Sequence, residues 1–144
     1  MTFSVSTATA SDLPDLAKLM AQSAHDPLSI DQRRDKLARP QVHMLACRDD
    51  EGVLVGYTFY RVVAEKTEIH DVAVDPNYHR RGIGSRLIQQ VIADTQSKDC
   101  TRIDLELRKS NTGTLALYRS LGFESVGTLT GYYRLGHEGA VLIR

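Results

Sequence analysis

Apolar positions along the chain follow two periods, and their alternation predicts a mixed α/β fold. Runs that alternate between apolar and polar residues, or are continuously apolar, predict seven strands over residues 3–8, 42–47, 53–63, 68–74, 102–107, 123–129 and 140–143. Helical spacing of apolar residues predicts four helices over residues 12–24, 29–39, 84–97 and 110–121. We therefore expect a single α/β domain spanning residues 1–144, with a mixed central sheet of about seven strands flanked by about four helices.

Capping and turn residues set the ends of these elements. Ser29 and Gln32 fit a capping box at the start of the second helix, and Pro40 follows its end. Gly122 stands directly after the last helix, where helices favour glycine. Gly56, inside the third strand, predicts either a β-bulge or the close approach of another element. The second helix is strongly polar, which is typical of a solvent-exposed helix.

The most informative stretch is a strand, a turn and a glycine-rich loop that opens a helix, over residues 68–92. Gly82 and Gly84 lie where this helix begins. The first N–H groups of a helix have no partner within it, and glycines leave them accessible, so the loop is a candidate site for an anion such as phosphate. Arg80 and Arg81 add positive charge beside it.

The glycine loop fits some nucleotide-binding patterns poorly. A P-loop is excluded because no Gly-Lys-Ser/Thr is present. A dinucleotide fingerprint would need its third glycine where Leu87 stands. Asp104 lies about 20 residues further on, as that fingerprint asks, but the chain after Gly84 is too short to complete a doubly wound fold. A tight turn without a ligand and an anion site both remain open on this pattern.

Composition narrows the set of partners and compartments. Lys plus Arg and Asp plus Glu number 18 each, so net charge gives no reason to expect a nucleic acid or a membrane as a partner. No apolar run approaches the about 20 residues that span a bilayer, and the first residues do not have the pattern of a signal peptide. Cys47 and Cys100 lie in apolar strand contexts, where we expect reduced, buried thiols. A cytoplasmic protein is expected.

Two segments resemble the GNAT-type N-acetyltransferases. The run VAVDPNYHRRGIGSRLI is similar to the acyl-CoA-binding motif of that family, written Gln/Arg-x-x-Gly-x-Gly/Ala. Gly82 and Gly84 match its glycines, whereas His79 stands where the motif has Gln or Arg. The run SNTGTLALYRSLGFESVG is similar to the family's second conserved segment, an Asn followed by a helix that ends in Leu-Tyr-x-x-Leu-Gly-Phe. The resemblance spans residues 68–127 and includes some likeness to the ribosomal-protein N-terminal alanine acetyltransferases.

The resemblance implies that acetyl-CoA is the co-substrate and that no metal takes part. Its pyrophosphate is expected on the glycine loop, and its pantetheine arm on the backbone of the central strand. The cofactor-binding residues that the resemblance implies are Val72, Ala73, Val74, His79, Arg80, Arg81, Gly82, Ile83, Gly84, Ser85, Asn111 and Tyr118.

The resemblance also implies catalytic roles. Tyr118 matches the tyrosine of the second segment and would meet the departing thiolate. A phenol with a pKa of about 10 transfers its proton to a thiol with a pKa of about 8.5 uphill by about 2 kcal/mol, so we expect Tyr118 to act first as a hydrogen-bond donor. Packing in the core is the alternative role of this tyrosine.

Two glutamates are candidates for the base that deprotonates the amine. Glu106 matches the glutamate in Trp-Leu-Glu-Val-Arg-type strands of the alanine acetyltransferases, and Glu68 has the spacing of the catalytic glutamate in histone-type members. Either carboxylate could instead be solvated or ion-paired. His70, two residues after Glu68, is a third candidate.

We therefore predict an N-acetyltransferase that moves an acetyl group from acetyl-CoA to a primary amine of a protein or peptide, with Tyr132 and Tyr133 contacting this acceptor. A small-molecule amine as acceptor and a non-catalytic acyl-CoA-binding module are the alternatives. The segment after the first strand often borders the acceptor in this family, so the polar helix over residues 29–39 could be a wall of that site. The sequence leaves open whether the chain forms a homodimer.

Overall fold

The structure is a computed structural model of the chain and describes residues 2–22, 39, 42–78, 81–96, 100–108, 112–127 and 137–143. Within these residues, seven strands form one sheet in the order β1-β2-β3-β4-β5-β7-β6. The strands are β1 (Ser4–Thr7), β2 (Val42–Arg48), β3 (Leu54–Val63), β4 (Lys66–Val74), β5 (Arg102–Arg108), β6 (Glu124–Gly127) and β7 (His137–Ile143). The predicted mixed sheet of about seven strands is confirmed.

Neighbouring strands run antiparallel except β4 and β5, which run parallel. A parallel pair needs a long crossover, and here a helix supplies it. The described helices are α1 (Leu13–Gln22), α2 (Ile83–Gln96) and α3 (Thr112–Ser120), with short 3-10 turns at Ala10–Asp12 and Pro76–Tyr78. The helix predicted over residues 29–39 lies outside the described residues.

Helices cover both faces of the sheet. On one face the apolar stripe of α2 packs in a cluster with residues of β2–β5; its fully buried members include Val55, Leu87, Ile88, Val91 and Ile103. On the other face α1 packs over β2, β3 and the end of β4, in a cluster that includes Leu16, Met44, Tyr57, Phe59 and Ala73. Strands buried on both faces explain why the β2 and β3 sequences are apolar almost throughout.

The predicted helix stop at Gly122 is confirmed by its backbone. Gly122 has a φ of 100°, which an L-residue adopts only with strain, and its N–H bonds to the carbonyl of Arg119 at 3.0 Å. The N–H of Phe123 bonds to the carbonyl of Tyr118, also at 3.0 Å. This tight end turns the chain directly into β6 and packs the Phe123 ring beside Tyr118.

Strand ends differ from prediction mainly at the last strand. β7 begins at His137, three residues earlier than the predicted start at residue 140, because residues 137–139 pair with β5. The segment His-Glu-Gly has low strand propensity, so tertiary pairing decides its conformation. The two cysteines are free thiols and buried, as expected. Burial raises the pKa of the Cys47 thiol, opposed by Arg86, so this thiol is a poor nucleophile.

No helix among the described residues is both long enough and apolar enough to cross a bilayer.

Candidate active site

β4 and β5 part before either strand ends. They pair over residues 66–69 of β4 and 102–105 of β5, and Ile69 with Leu105 is the last such pair in the described chain. β4 continues to Val74 paired with β3, and β5 continues to Arg108 paired with β7. The carboxyl ends of the two parallel strands therefore border a wedge-shaped opening, which we call the β4–β5 gap. Ligands of open α/β sheets bind at this end of the strands.

A β-bulge lies at the narrow end of the gap. The register of β3 against β4 shifts because Tyr60 pairs with Ile69 and Phe59 with Asp71, which leaves His70 as an extra residue in β4. The bulge changes which positions of β4 face α2. Before it, Ile69 belongs to the α2-side cluster; after it, Val72 and Val74 pack there. β4 contains no glycine that would indicate this bulge from the sequence alone.

The predicted anion site has the backbone that its glycines suggest. Gly82 has a φ of 76°, a conformation that favours glycine, and a Cβ atom placed on it would meet nothing within 4 Å. Its carbonyl accepts the first helical hydrogen bond, from Arg86 N–H at 3.0 Å. The N–H groups of Ile83, Gly84 and Ser85 precede that bond, so the start of α2 offers them to a ligand.

Close packing brings this helix start to the end of β4. A Cβ atom on Gly84 would lie 3.5 Å from Cδ2 of Leu117 in α3 and 3.9 Å from Cγ2 of Val74 in β4. These are ordinary contacts, so alanine would fit there, as the Gly/Ala position of the motif allows. A Cβ atom on Gly56 would lie 2.9 Å from Cγ2 of Ile83, which confirms the predicted close approach and fixes α2 directly on β3.

Aromatic contacts hold one cation at the rim of the loop. The Arg81 guanidinium lies over the ring of Tyr78, 5.2 Å from its centroid, and Phe3 packs edge-on against the same ring. The Tyr78 hydroxyl is 3.3 Å from Oδ2 of Asp49, so the rim is tied to the β2–β3 turn. His79, Arg80 and Asn111, three further predicted cofactor contacts, lie outside the described residues, as do Tyr132 and Tyr133.

Tyr118 lies on the α2 side of the sheet. Its side chain is 6% exposed and belongs to the same apolar cluster as Ile69 and Leu105, the last pair before the gap. Its ring centroid is 5.8 Å from that of Phe123. Both predicted roles, donor and packing residue, are compatible with this position.

The two candidate glutamates lie on different strands. Glu106 is the β5 residue directly after the last β4–β5 pair, and its backbone pairs with Gly139. Glu68 is part of a charged cluster on the face opposite α2, with its carboxylate 3.3 Å from Nε2 of His70 and 3.9 Å from Nζ of Lys66. The predicted ion-paired alternative for Glu68 is therefore the observed arrangement. It does not by itself exclude a role in proton transfer.

One charged residue at the gap went unpredicted. Asp104 is only 6% exposed and lies 3.0 Å from Nζ of Lys66, while Nε of Arg102 donates to it at 2.6 Å. In β5, where apolar and polar residues alternate, Asp104 occupies a polar position, but the alternation does not indicate that other charges bury it. The Lys66–Asp104 pair joins β4 to β5 just before the strands part.

An open cavity of about 390 Å³ lies away from the gap. It is lined by α1, the β2–β3 turn and Asp75, and it does not reach the wedge between β4 and β5. Within the described residues, no cluster of three or more His, Cys, Asp or Glu side chains could hold a metal ion.

Known proteins share both the sequence and the fold. The profile of the acetyltransferase (GNAT) family matches residues 11–123. The N-alpha-acetyltransferase RimI of Mycobacterium tuberculosis is 36% identical over an alignment of 145 positions, which covers 94% of this chain and 87% of that protein. The [ribosomal protein bS18]-alanine N-acetyltransferase of Salmonella typhimurium is 33% identical over 92 residues, 62% of each chain.

Solved structures show the same architecture. The ribosomal-protein-S18-alanine N-acetyltransferase from Escherichia coli superposes with a TM-score of 0.88 at 23% identity, covering 99% of this chain and 94% of that one. The PaiA N-acetyltransferase from Thermoplasma acidophilum, solved with coenzyme A, gives a TM-score of 0.83 at 16% identity over the full length of both chains. These matches confirm the GNAT-like fold and the family that the two motifs predicted. The chain belongs to the GNAT family of acetyltransferases, and it is an acetyl-CoA-dependent N-acetyltransferase.

Proposed function

We propose that the protein acetylates the N-terminal α-amine of a protein or peptide. The observation that carries this proposal is the match, over nearly the whole chain, to a protein named as an N-alpha-acetyltransferase. Relatives that match over a shorter stretch are named for an alanine of a ribosomal protein. An N-terminal alanine is therefore the first acceptor to test.

The chain offers acetyl-CoA two complementary features. The N–H groups at the start of α2 suit a pyrophosphate, and the open space above Gly82 leaves them accessible. Residues 70–74 of β4 lie beside the gap and extend over about 16 Å at about 3.3 Å per residue. The amide groups of the pantetheine arm could pair with this strand edge, where a neighbouring strand would otherwise lie. Val72, Ala73 and Val74 would hold this arm. Bound there, acetyl-CoA supplies a thioester carbonyl that an amine can attack.

Two protons have to move during transfer. The nitrogen of the acceptor forms its bond to the carbonyl carbon while the carbon–sulfur bond breaks, so one proton leaves the nitrogen and one reaches the sulfur. We assign the first to Glu106, at the narrow end of the gap on β5. Tyr118 would donate a hydrogen bond, and then its proton, to the sulfur from the α2 side. Glu68 remains the alternative base on β4.

An α-amine places a modest demand on such a base. Its pKa is about 8, compared with about 10.4 for a lysine side chain, so near neutral pH a substantial fraction is already uncharged. A single carboxylate acting as the base is sufficient for the remaining proton.

The test uses two peptides that differ only at the N-terminus and at one internal position. One has a free N-terminal alanine and no lysine; the other has a blocked N-terminus and one internal lysine. With acetyl-CoA present, mass spectrometry should show one acetyl group on the first peptide and none on the second. Acetylation of the lysine peptide alone would contradict the proposal.

The two alternative functions predict different results. A non-catalytic module would bind coenzyme A in calorimetry and release no free thiol with any amine. An enzyme for small amines would release thiol with polyamines or amino sugars and not with either peptide. The Tyr118→Phe variant serves as the control for background acetylation, because it should retain acetyl-CoA and lose most turnover.

We extend the proposal to a reducing, cytoplasmic compartment. Cys47 and Cys100 are both free and buried, which suits a compartment where thiols stay reduced. Light scattering on the purified protein would test whether it forms a homodimer.

A further inference from the structure

The narrow end of the β4–β5 gap has an apolar side. Ile69 and Leu105 are register partners, so their side chains are neighbours on the α2 side of the sheet. They are 6% and 4% exposed, and share an apolar cluster with Tyr118 and Phe123. Within the described residues, β4 and β5 are paired from Lys66 and Arg102 up to this pair and part after it. A pantetheine arm that lies along β4 in the gap must therefore end against Ile69 and Leu105.

The opposite face offers no apolar room either. Lys66 and Asp104 lie 3.0 Å apart across the two strands, with Asp104 one position before Leu105 and Lys66 three positions before Ile69. Glu68 and His70 contact each other on β4 beside them. A hydrocarbon chain directed to this face would strip water from charged groups without replacing their interactions. Chains longer than acetyl are therefore disfavoured in both directions.

We infer that Ile69 and Leu105 form the floor of the acyl site and restrict the donor to the acetyl group. This inference rests on the proposed binding of acetyl-CoA along β4. It adds a specificity that family membership leaves open, namely whether acyl-CoAs with longer chains are also used. The two side chains act by occupying the space that the third and fourth carbons of a longer acyl group would need.

The test compares acetyl-, propionyl- and butyryl-CoA with one α-amine peptide. For the wild-type protein, kcat/KM should fall about tenfold or more from acetyl to propionyl, the usual discrimination for one methylene in a fitted site, and further for butyryl. Leu105→Ala shortens the floor by three carbons. It should raise the ratio of butyryl to acetyl kcat/KM by at least about tenfold.

A matched control is available on the same strand. Ile103 lies two residues before Leu105, faces the same cluster and is fully buried, but its partner is Thr67, inside the paired part of the sheet. Ile103→Ala should loosen the core to a similar degree and leave the butyryl-to-acetyl ratio unchanged. An equal rise in both variants would overturn the inference, because general loosening would then explain it.

Binding provides a readout that does not need turnover. Calorimetry on wild-type protein should give similar dissociation constants for coenzyme A and acetyl-CoA, and a weaker one for butyryl-CoA by about tenfold. In Leu105→Ala that difference should disappear. If Leu105→Ala does not fold, Ile69→Val and Leu105→Val remove one carbon each and should act selectively on propionyl-CoA.

The outcomes distinguish this inference from the proposed function. A wild-type protein that binds coenzyme A but accepts butyryl-CoA as readily as acetyl-CoA overturns the inference alone. So do floor variants that bind coenzyme A normally and keep the wild-type chain-length preference. A wild-type protein that binds no acyl-CoA overturns the binding site itself, and with it the proposed function.

Discussion

Two glycines with nearly the same backbone allow the phosphate loop to be tested against a matched control. Gly82 in the loop has a φ of 76°, and Gly52 in the β2–β3 turn has a φ of 81°. A Cβ atom placed on either would meet nothing within 4 Å. Alanine at either position should therefore add only the strain of the left-handed conformation, about 1–2 kcal/mol. For a chain of this size, that corresponds to a fall in melting temperature of roughly 3–8 °C.

Ligand binding should separate the two variants. Each charge-assisted hydrogen bond from a backbone N–H contributes about 1.5–3 kcal/mol, so misplacing even one at the start of α2 should weaken coenzyme A binding by about tenfold or more. Calorimetry below the melting range should show this loss for Gly82→Ala and an unchanged dissociation constant for Gly52→Ala. Arg81→Ala, which removes charge and keeps the backbone, should weaken binding less than Gly82→Ala.

Two results would refute this reasoning. If Gly82→Ala loses stability but binds coenzyme A as well as the wild-type protein, the pyrophosphate does not lie on this loop. If both alanine variants lose affinity equally, binding follows overall stability and carries no information about the loop.

Further predictions concern the tyrosines and the carboxylates. Tyr118→Phe should keep the dissociation constant for acetyl-CoA and lower turnover about 10²-fold, whereas Tyr60→Phe, which removes a buried hydroxyl that contacts Asp94 of α2, should leave turnover unchanged. An unaltered rate in Tyr118→Phe would leave that residue only a packing role. Glu106→Gln should lower the rate with an α-amine peptide most at low pH and least near pH 9, because solvent then supplies neutral amine; a larger effect of Glu68→Gln would assign the base to β4 instead. Burial, with Asp94 nearby, raises the pKa of Tyr60 to about 12. The neutral Tyr60 phenol therefore contributes fully to the free energy of unfolding below about pH 10, where the unfolded phenol begins to ionise. This contribution is lost between about pH 10 and 12. Over that range the melting temperature should fall more steeply for the wild-type protein than for Tyr60→Phe, and parallel curves would contradict the assignment.

Local sequence was sufficient to predict the elements on either side of the glycine loop. Proline at position 76, the two loop glycines and the helical spacing that follows act within a few residues of one another. The strand ends at Val74, as predicted, and the helix begins at Ile83, one residue before the predicted start. Gly122 as a helix stop is of the same kind. Such features depend on backbone geometry that neighbouring residues alone determine.

Features that depend on strand pairing could not be predicted in this way. The parting of β4 and β5 after Ile69 depends on residues more than thirty positions apart in the chain. The insertion of β7 between β5 and β6, and the extension of β7 back to His137, also result from non-local pairing. Asp104 has the strand position that alternation predicts, and only the assembled sheet shows that Lys66 and Arg102 bury it.

The bulge at His70 allows β4 to contain one residue more than the paired part of β3 without changing which side chains reach the core. Because His70 is the extra residue, Asp71 pairs with Phe59 directly after the Ile69–Tyr60 pair. Val72 and Val74 therefore face α2 and Ala73 faces α1, and the same faces would result if His70 were absent. Deleting His70 should leave both apolar clusters intact and straighten the strand that borders the gap. A second deletion would reverse those faces, because successive strand residues point to opposite sides.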